Sequence, residues 1–329
     1  MILSFLRAVV LPFWLLFTFA LAPAASQTRT ILTPSGEEEG FGLAVDVDGN
    51  RMLIGTAEGM VYAYTWENEA WQEIGVLTTS DSTRSDKFGH DISISGDYAA
   101  IGAPDHKERE GAVYLYKWDG TMWQEMSRLE KGDWPNRFGN AVDLHTNQLI
   151  VGAPELDRPG WPDTAMANAY IYEFVDDVWL HSATLTKPDV LLSTFGDDVA
   201  IQDDIAVVVG EDNYHMFHYG SAFVYRKDGE QWVPMITIDT GSSDSRHPIV
   251  AMNQHRLIYG NIAYPGDLSP GYVVLYERSS TDWQLVRLFQ QGQPEDQDAF
   301  GQGIAIDENI LAVSATSERQ GNSFGFVYI

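Results

Sequence analysis

One dipeptide recurs along the sequence at a nearly constant interval. Phe-Gly occurs at Phe41-Gly42, Phe88-Gly89, Phe138-Gly139, Phe195-Gly196 and Phe300-Gly301. The first gaps are 47, 50 and 57 residues, and the last gap of 105 residues is twice as long, with His247-Pro248 near its middle. A fixed period of this size is typical of repeat architectures. The sequence therefore predicts six copies of a unit of about 50 residues.

Each copy contains the same order of strand-like segments. An alternating segment such as 91–94 follows Phe-Gly, and after a tight polar turn an apolar strand ends in small residues, as in Ile101-Gly102-Ala103-Pro104. An aromatic third strand such as 113–116 precedes a fourth strand that opens with Trp. Alternation around a short Gly, Asp or Asn turn indicates a hairpin. Four short strands in about 50 residues are the size of one propeller blade. We therefore predict an all-β chain forming a single β-propeller of about six four-stranded blades, with seven blades as the alternative.

One Trp per repeat stands at the same offset in five of the copies. These residues are Trp71, Trp123, Trp179, Trp232 and Trp283. A ligand-stacking platform and a core packed between blades both place one aromatic residue per repeat. We interpret the row as core between blades, because a propeller buries each blade between two others.

The first residues have the composition of a targeting segment. Arg7 precedes an apolar run over 8–21, and Ala22-Pro23-Ala24-Ala25-Ser26 follows it. This order is typical of a secretory signal peptide, and the apolar run is short for a membrane-spanning helix. We predict a cleaved signal peptide over 1–26 and a propeller over 27–329. A retained membrane anchor is the alternative. The mature chain is expected in the periplasm, at the cell surface or secreted, as a monomer that does not insert into a membrane.

The last repeat lacks a fourth strand, and the N-terminus offers one. Thr30-Ile31-Leu32-Thr33 is similar to Val76-Leu77-Thr78-Thr79, and Leu32 precedes Phe41 by 9 residues, within the 9 to 11 of the internal repeats. We expect residues 28–34 to pair with the strand around 326–329 and so close the ring, since an open ring leaves exposed sheet edges. The predicted blades are approximately 41–77, 88–129, 138–185, 195–238, 247–289 and 300–329 plus 28–34.

Phe-Gly followed about fourteen residues later by Gly-Ala-Pro is the motif that names the FG-GAP repeat. Over 28–329 the chain resembles FG-GAP propellers, such as the N-terminal domain of integrin α chains and many exported bacterial proteins. The resemblance is strongest at 88–116 and 138–172. It implies recognition of a protein or a glycan, sometimes with Ca²⁺ held in blade loops.

The calcium loops of that family are not matched here. Such loops carry an Asp-x-Asp-x-Asp-Gly-like run between the first two strands, whereas the turns of this chain have hairpin length. A short hairpin cannot place six or more oxygens around a cation. Asp46 and Asp48 are the nearest candidates, and we expect no cofactor.

The sequence has little that indicates catalysis. Cysteine is absent, which excludes disulfides, thiol chemistry and Cys-based metal sites. His215 and His218 form a His-x-x-His pair that could bind a transition metal, but we favour the interpretation that this loop packs its aromatic residues against a neighbouring blade. No nucleophile elbow, Walker loop or His-Glu-x-x-His occurs.

Charge and loop length favour a binding function. The formal net charge of −27 would repel a phosphate backbone, so we expect no nucleic-acid partner. The connections between second and third strands are long at 155–168, 211–220 and 261–270, and loops on a rigid scaffold often carry binding. The aromatic residues expected on this face are Trp134, Trp161, Tyr214, Phe217, Tyr219 and Tyr264. We predict a non-catalytic, exported module that binds a protein or a glycan, with a glycan-active hydrolase or lyase as the alternative.

Overall fold

The computed structural model describes residues 32–36, 40–79, 81, 86–131, 136–154, 167–186, 194–212, 219–239, 246–262, 271–279, 282–290, 300–308, 310–319 and 322–329. The chain divides into two compact units, Met1–Thr33 and Pro34–Ile329, and every described strand lies in the second. These strands form six antiparallel sheets, five with four strands and one with three.

The first sheet contains β1 (Val45–Asp48), β2 (Arg51–Gly55), β3 (Val61–Glu67) and β4 (Ala70–Leu77). The second contains β5 (Ile92–Ser95), β6 (Tyr98–Ala103), β7 (Ala112–Trp118) and β8 (Trp123–Leu129), with the short turn α1 (His106–Arg109) between β6 and β7. The third contains β9 (Ala141–His145), β10 (Gln148–Ala153), β11 (Asn168–Val175) and β12 (Val178–Thr186). The fourth contains β13 (Thr194–Gln202), β14 (Ile205–Asp212), β15 (Tyr219–Asp228) and β16 (Gln231–Asp239). The fifth contains β17 (Arg246–Met252), β18 (Arg256–Ile262), β19 (Tyr272–Arg278) and β20 (Trp283–Gln290). The sixth contains β21 (Ile304–Asp307), β22 (Ile310–Arg319) and β23 (Asn322–Tyr328).

Each sheet is a simple meander in which consecutive strands pair. The first strands of consecutive sheets also contact one another, from β1 through β5, β9, β13 and β17 to β21. This arrangement of radial sheets with their first strands innermost is that of a β-propeller. The prediction of a single all-β propeller is confirmed, with five complete blades and a three-stranded sixth.

The hydrophobic core lies between the blades. Each of the five core clusters combines residues from two consecutive sheets, and β10 is buried along its whole length. Trp123, Trp179 and Trp283 belong to these clusters, and Trp232 packs against one of them. The interpretation of the Trp row as core between blades is therefore confirmed for these four residues.

The Phe-Gly motif and the small-residue corner of the preceding blade meet across the first three blade junctions. Gly139 has φ +86°, which only glycine adopts readily, and its carbonyl oxygen lies against Gly102 of the preceding blade. A Cβ added to Gly102 would stand 2.1 Å from that oxygen. The pairs Gly55–Gly89 and Gly152–Gly196 repeat this approach. The two motifs are thus a single contact that sets how closely consecutive blades pack.

The sixth sheet differs from the prediction. It has three strands, and the described residues supply no fourth strand beside β23. Of the expected closing strand 28–34, residues 28–31 lie outside the described residues, and residues 32–34 are not in a strand. The structure therefore shows a partial sixth blade.

Candidate functional site

A cavity of about 730 Å³ lies at the centre of the ring of blades. Residues from the first strand of all six sheets line it, so the cavity is a direct product of the radial arrangement. Five aspartates are among its lining residues, of which Asp197 adjoins Asp198. The other four are spread over the first four blades: Asp46, Asp143 and Asp198 lie in β1, β9 and β13, and Asp91 directly precedes β5. We call these four residues the aspartate set.

Each member of the aspartate set accepts a hydrogen bond from the next blade. The N–H of Ile94 donates to Asp46 Oδ2 at 2.5 Å, and the N–H of Val142 donates to Asp91 Oδ2 at 2.7 Å. The bonds from Ile201 to Asp143 and from Val250 to Asp198 measure 2.6 and 2.7 Å. The first strand of a blade is a sheet edge, so every second N–H group along it has no partner within the sheet. The carboxylates supply that partner and link neighbouring blades.

Further hydrogen bonds of the same kind lie beside the aspartate set. Gly96 N–H donates to Asp48 Oδ2 at 2.6 Å, and Ser93 and Ser95 accept from the third sheet at 3.0 and 2.9 Å. The first three innermost strands are therefore joined along their length through side chains.

Burial changes the titration of the aspartate set. Desolvation is the largest cause for every member, and it raises the pKa of Asp46 to about 6. The pKa of each of Asp91, Asp143 and Asp198 is raised to about 7, first by desolvation and then by the charges of other aspartates, opposed by the backbone hydrogen bonds. These four residues are partly buried and line the cavity. Near pH 7 these carboxyl groups are therefore partly protonated.

The acidic lining is one-sided. The fifth and sixth sheets contribute mainly small or apolar residues to the cavity, including Val250, Met252, Ile304 and Ala305. The cavity therefore has an arc of carboxyl groups opposite an apolar arc.

The end of the cavity near the links between blades is lined by basic and amide side chains. His90, Arg137 and Asn140 line this end, each within three residues of a Phe-Gly motif. Desolvation and the positive charges of Arg137 and Lys87 lower the pKa of His90 to about 4. His90 is therefore neutral at pH 7 and offers one donor and one acceptor nitrogen.

The structure places the predicted metal candidates in structural contacts. Asp46 and Asp48 both accept N–H groups of the second sheet, as described above. Within the part of the chain that the structure describes, no three His, Asp or Glu side chains are arranged to hold a metal ion. His215 and His218 lie outside the described residues.

Most of the predicted binding aromatics also lie outside the described residues: Trp134, Trp161, Tyr214, Phe217 and Tyr264. Tyr219 is the first residue of β15. The prediction of a recognition surface formed by these side chains stays a prediction.

Comparison with known proteins supports the repeat assignment. A family model described as FG-GAP repeat matches residues 71–116. No curated protein matches the chain. Among solved structures, Sqt1 of Saccharomyces cerevisiae is similar with 11% identity and a TM-score of 0.49, over 88% of this chain and 86% of that one. The computationally designed Ika4 protein has 13% identity and a TM-score of 0.39, over 61% of this chain and 99% of that one.

The matched repeat spans the fourth strand of the first blade and three strands of the second. It includes Phe88-Gly89 and Gly102, the residues that form the contacts between blades. The chain is therefore a β-propeller that contains a matched FG-GAP repeat over residues 71–116.

Proposed function

We propose that this protein is a non-catalytic interaction module that recognises a protein or a glycan through one face of the propeller. The two ends of the sheets differ in their connections, and this difference carries the proposal. First and second strands are joined by tight turns such as Gly96-Asp97 and Thr146-Asn147. Second and third strands are joined by the short connections 56–60 and 213–218 and by the longer connections 104–111, 154–167 and 263–271. We call the end with the long connections the long-loop face.

A rigid scaffold with long loops at one end favours binding there. The blades are fixed by buried cores and by the glycine contacts, and loops carried by such a rigid scaffold often form binding surfaces. Because the chain rises and falls in a meander, the links between blades lie on the same face. Loop residues of all blades thus share one surface.

A loop exchange tests the proposal. The connection 154–167 is replaced by the short connection 56–60 of the first blade, and both proteins are screened on a glycan array and in pull-downs. Loss of a ligand that the parent chain binds supports the proposal. A variant with an unchanged ligand profile contradicts a role for this loop. A control exchange of the Thr146-Asn147 turn for Asn-Gly should leave the profile unchanged.

A second function is favoured by one observation. Carboxyl groups with pKa values raised to about 7 are gathered at one cavity, as general acids of glycan-active enzymes require. Against this, every member of the aspartate set accepts a backbone N–H, which gives it a structural role. Release of reducing ends from a polysaccharide panel by the parent chain, but not by an Asp143→Asn variant, would favour the hydrolase.

The fold proposal extends to the sixth blade, which we infer is completed by residues 28–34. The N–H and Oγ of Ser35 donate to Glu73 at 3.1 and 2.6 Å. Glu73 corresponds in register to Glu125 of the second blade, which lines a groove against β4 of the preceding blade. For Glu73 of the first blade, the preceding blade is the sixth, so the strand in the place of β4 would be the missing fourth strand. Ser35 directly follows residues 28–34, which we assign to that strand.

Exposed apolar residues support the same inference. Val286 and Leu288 of β20 are 51% and 50% exposed, and they correspond in register to Ile74 and Val76, which line the groove against the second blade. Val327 of β23 is 65% exposed. A fourth strand in the sixth blade would lie between β20 and the first blade and beside β23, where it would cover these exposed side chains.

The remaining expectations from the sequence form part of the same proposal. Residues 1–26 direct export and are removed, and the mature chain acts outside the cytoplasm as a monomer without cofactor or nucleic-acid partner. No described helix is long and apolar enough to cross a membrane. N-terminal sequencing of the exported protein tests the cleavage site.

A further inference from the structure

Three cationic side chains converge on one carboxylate at the long-loop face. Lys87 Nζ lies 3.1 Å from Asp105 Oδ2, and Arg137 Nε lies 3.3 Å from Asp105 Oδ1. Arg109 Nε lies 3.9 Å from the same Oδ1. We call Lys87, Arg109 and Arg137 the cation triad.

The cation triad is unusual for this protein. The chain has 20 Lys and Arg against 47 Asp and Glu, so cations are scarce on its surface. Among the described ion pairs, Arg51, Lys227 and Arg278 each face one carboxylate. Three cations against Asp105 leave two positive charges uncompensated within this cluster, although Glu108 and Glu110 follow in the same connection.

Backbone geometry holds the cation triad in place. Lys87 and Arg137 directly precede Phe-Gly motifs and have φ +58° and +55°, and Arg109 has φ +79°. Left-handed backbone at residues other than glycine costs roughly 1–2 kcal/mol each, so it persists only where the surroundings fix it. The Arg137 N–H donates to the Arg109 carbonyl at 2.9 Å, which joins two of the three residues. The side chains of Lys87 and Arg109 remain 44% and 46% exposed.

The cation triad adjoins the end of the central cavity. Arg137 lines the cavity together with His90 and Asn140, and the aspartate set lies further along the same wall. The positive charge of the cation triad therefore lies next to hydrogen-bonding side chains inside the cavity. Asn140 and neutral His90 can form hydrogen bonds with the hydroxyl groups of a ligand. The carboxylates of the aspartate set can accept hydrogen bonds from such hydroxyl groups.

We propose that the cation triad binds the carboxylate of a uronic acid residue in a glycan whose hydroxyl groups enter this end of the cavity. The inference rests on the proposed function and names its ligand class. Arginine and carboxylate form strong, planar, charge-assisted hydrogen bonds. The net charge of −27 repels a polyanion, so the fitting ligand has few carboxylates on an otherwise neutral sugar chain.

Isothermal titration calorimetry on the full chain tests the proposal. The probe is an aldobiouronic acid, a disaccharide of one uronic acid and one neutral sugar, and its methyl ester is the matched neutral control. We expect the acid form to bind at least tenfold more tightly than the ester and to lose affinity as NaCl is raised. Arg109→Gln should weaken binding of the acid about threefold to tenfold, and the triple Lys87→Gln, Arg109→Gln, Arg137→Gln variant should make the two probes equal.

A control variant separates the cation triad from general charge. Arg256→Gln removes a cation next to the β17–β18 turn, on the opposite face, where Arg256 Nε pairs with Glu277 at 3.1 Å. Its affinity should match the parent. Arg109 is exposed, so the single variant answers the question even if the triple variant does not fold. Equal binding of acid and ester, binding of neither, unchanged affinity in Arg109→Gln, or preference for an aspartyl peptide over the uronate each overturns the inference. The loop exchange described above tests the proposed function separately.

Discussion

Replacement of Asp143 by asparagine should stabilise this protein at alkaline pH and leave its stability unchanged in acid. Asp143 accepts the Ile201 N–H at 2.6 Å and lies within 3.3 Å of the Ser93 hydroxyl. Asparagine keeps the carbonyl acceptor for Ile201, and its amide can donate to the hydroxyl. The substitution therefore removes the charge and preserves the link between blades.

The magnitude follows from the pKa of Asp143, which burial raises from 3.8 to about 7. One pKa unit corresponds to 1.36 kcal/mol, so ionising this group in the folded state costs about 4 kcal/mol at most. The folded protein binds more protons than the unfolded chain between pH 4 and pH 7, so its stability falls as pH rises through that window. The loss is complete above pH 7. Asp143→Asn should recover about 2–4 kcal/mol at pH 8 and almost nothing at pH 4.

Urea unfolding at half-unit steps from pH 4 to pH 8 measures this difference. Asp119→Asn is the control, because Asp119 is exposed and hydrogen bonds from Met122 and Thr121 lower its pKa. It removes the same charge from a protein of net charge −27 but should not stabilise it at pH 8. Parallel curves for the parent and Asp143→Asn would refute the account of the aspartate set. Equal gains from both variants would show that the effect is general charge repulsion.

Three further outcomes follow from the packing. Gly102→Ala places a Cβ 2.1 Å from the Gly139 carbonyl and should lower the free energy of unfolding by 3 kcal/mol or more, measured in urea; a loss below about 1 kcal/mol contradicts the glycine contact. Deleting residues 28–34 should lower the melting temperature markedly, and a deletion variant that melts with the parent would exclude them as the closing strand. Glu73→Ala removes both acceptors of Ser35, so limited proteolysis should cut the N-terminal segment faster, and an unchanged rate would dismiss this contact.

The repeat pattern was sufficient to predict the sheets. Three patterns reflect burial within a short stretch of chain: the Phe-Gly spacing, the alternation of apolar and polar residues, and the Trp row. Such local patterns can be recognised in a single sequence. The contact of Gly102 with Gly139 could not be derived in this way, because it depends on how two blades pack.

The aspartate set was missed for a related reason. Asp46 and Asp143 lie five residues after the Phe of their motif, and Asp91 and Asp198 lie three residues after it. This alternation is a usable signal, but in a chain with 47 acidic residues it is hard to separate from chance. The position of the first strand in the next blade determines which carboxylate accepts an unpaired N–H, and this position cannot be derived from the local sequence. The cation triad also joins residues far apart in the sequence.

The claim that this propeller binds through its long-loop face is tested most directly by hydrogen–deuterium exchange with a ligand from the array or pull-down screen. The account predicts slower exchange in the connection 104–111 and in the blade links that carry Lys87 and Arg137, with no change in the turns at residues 96–97 and 146–147. Protection confined to those turns would contradict it.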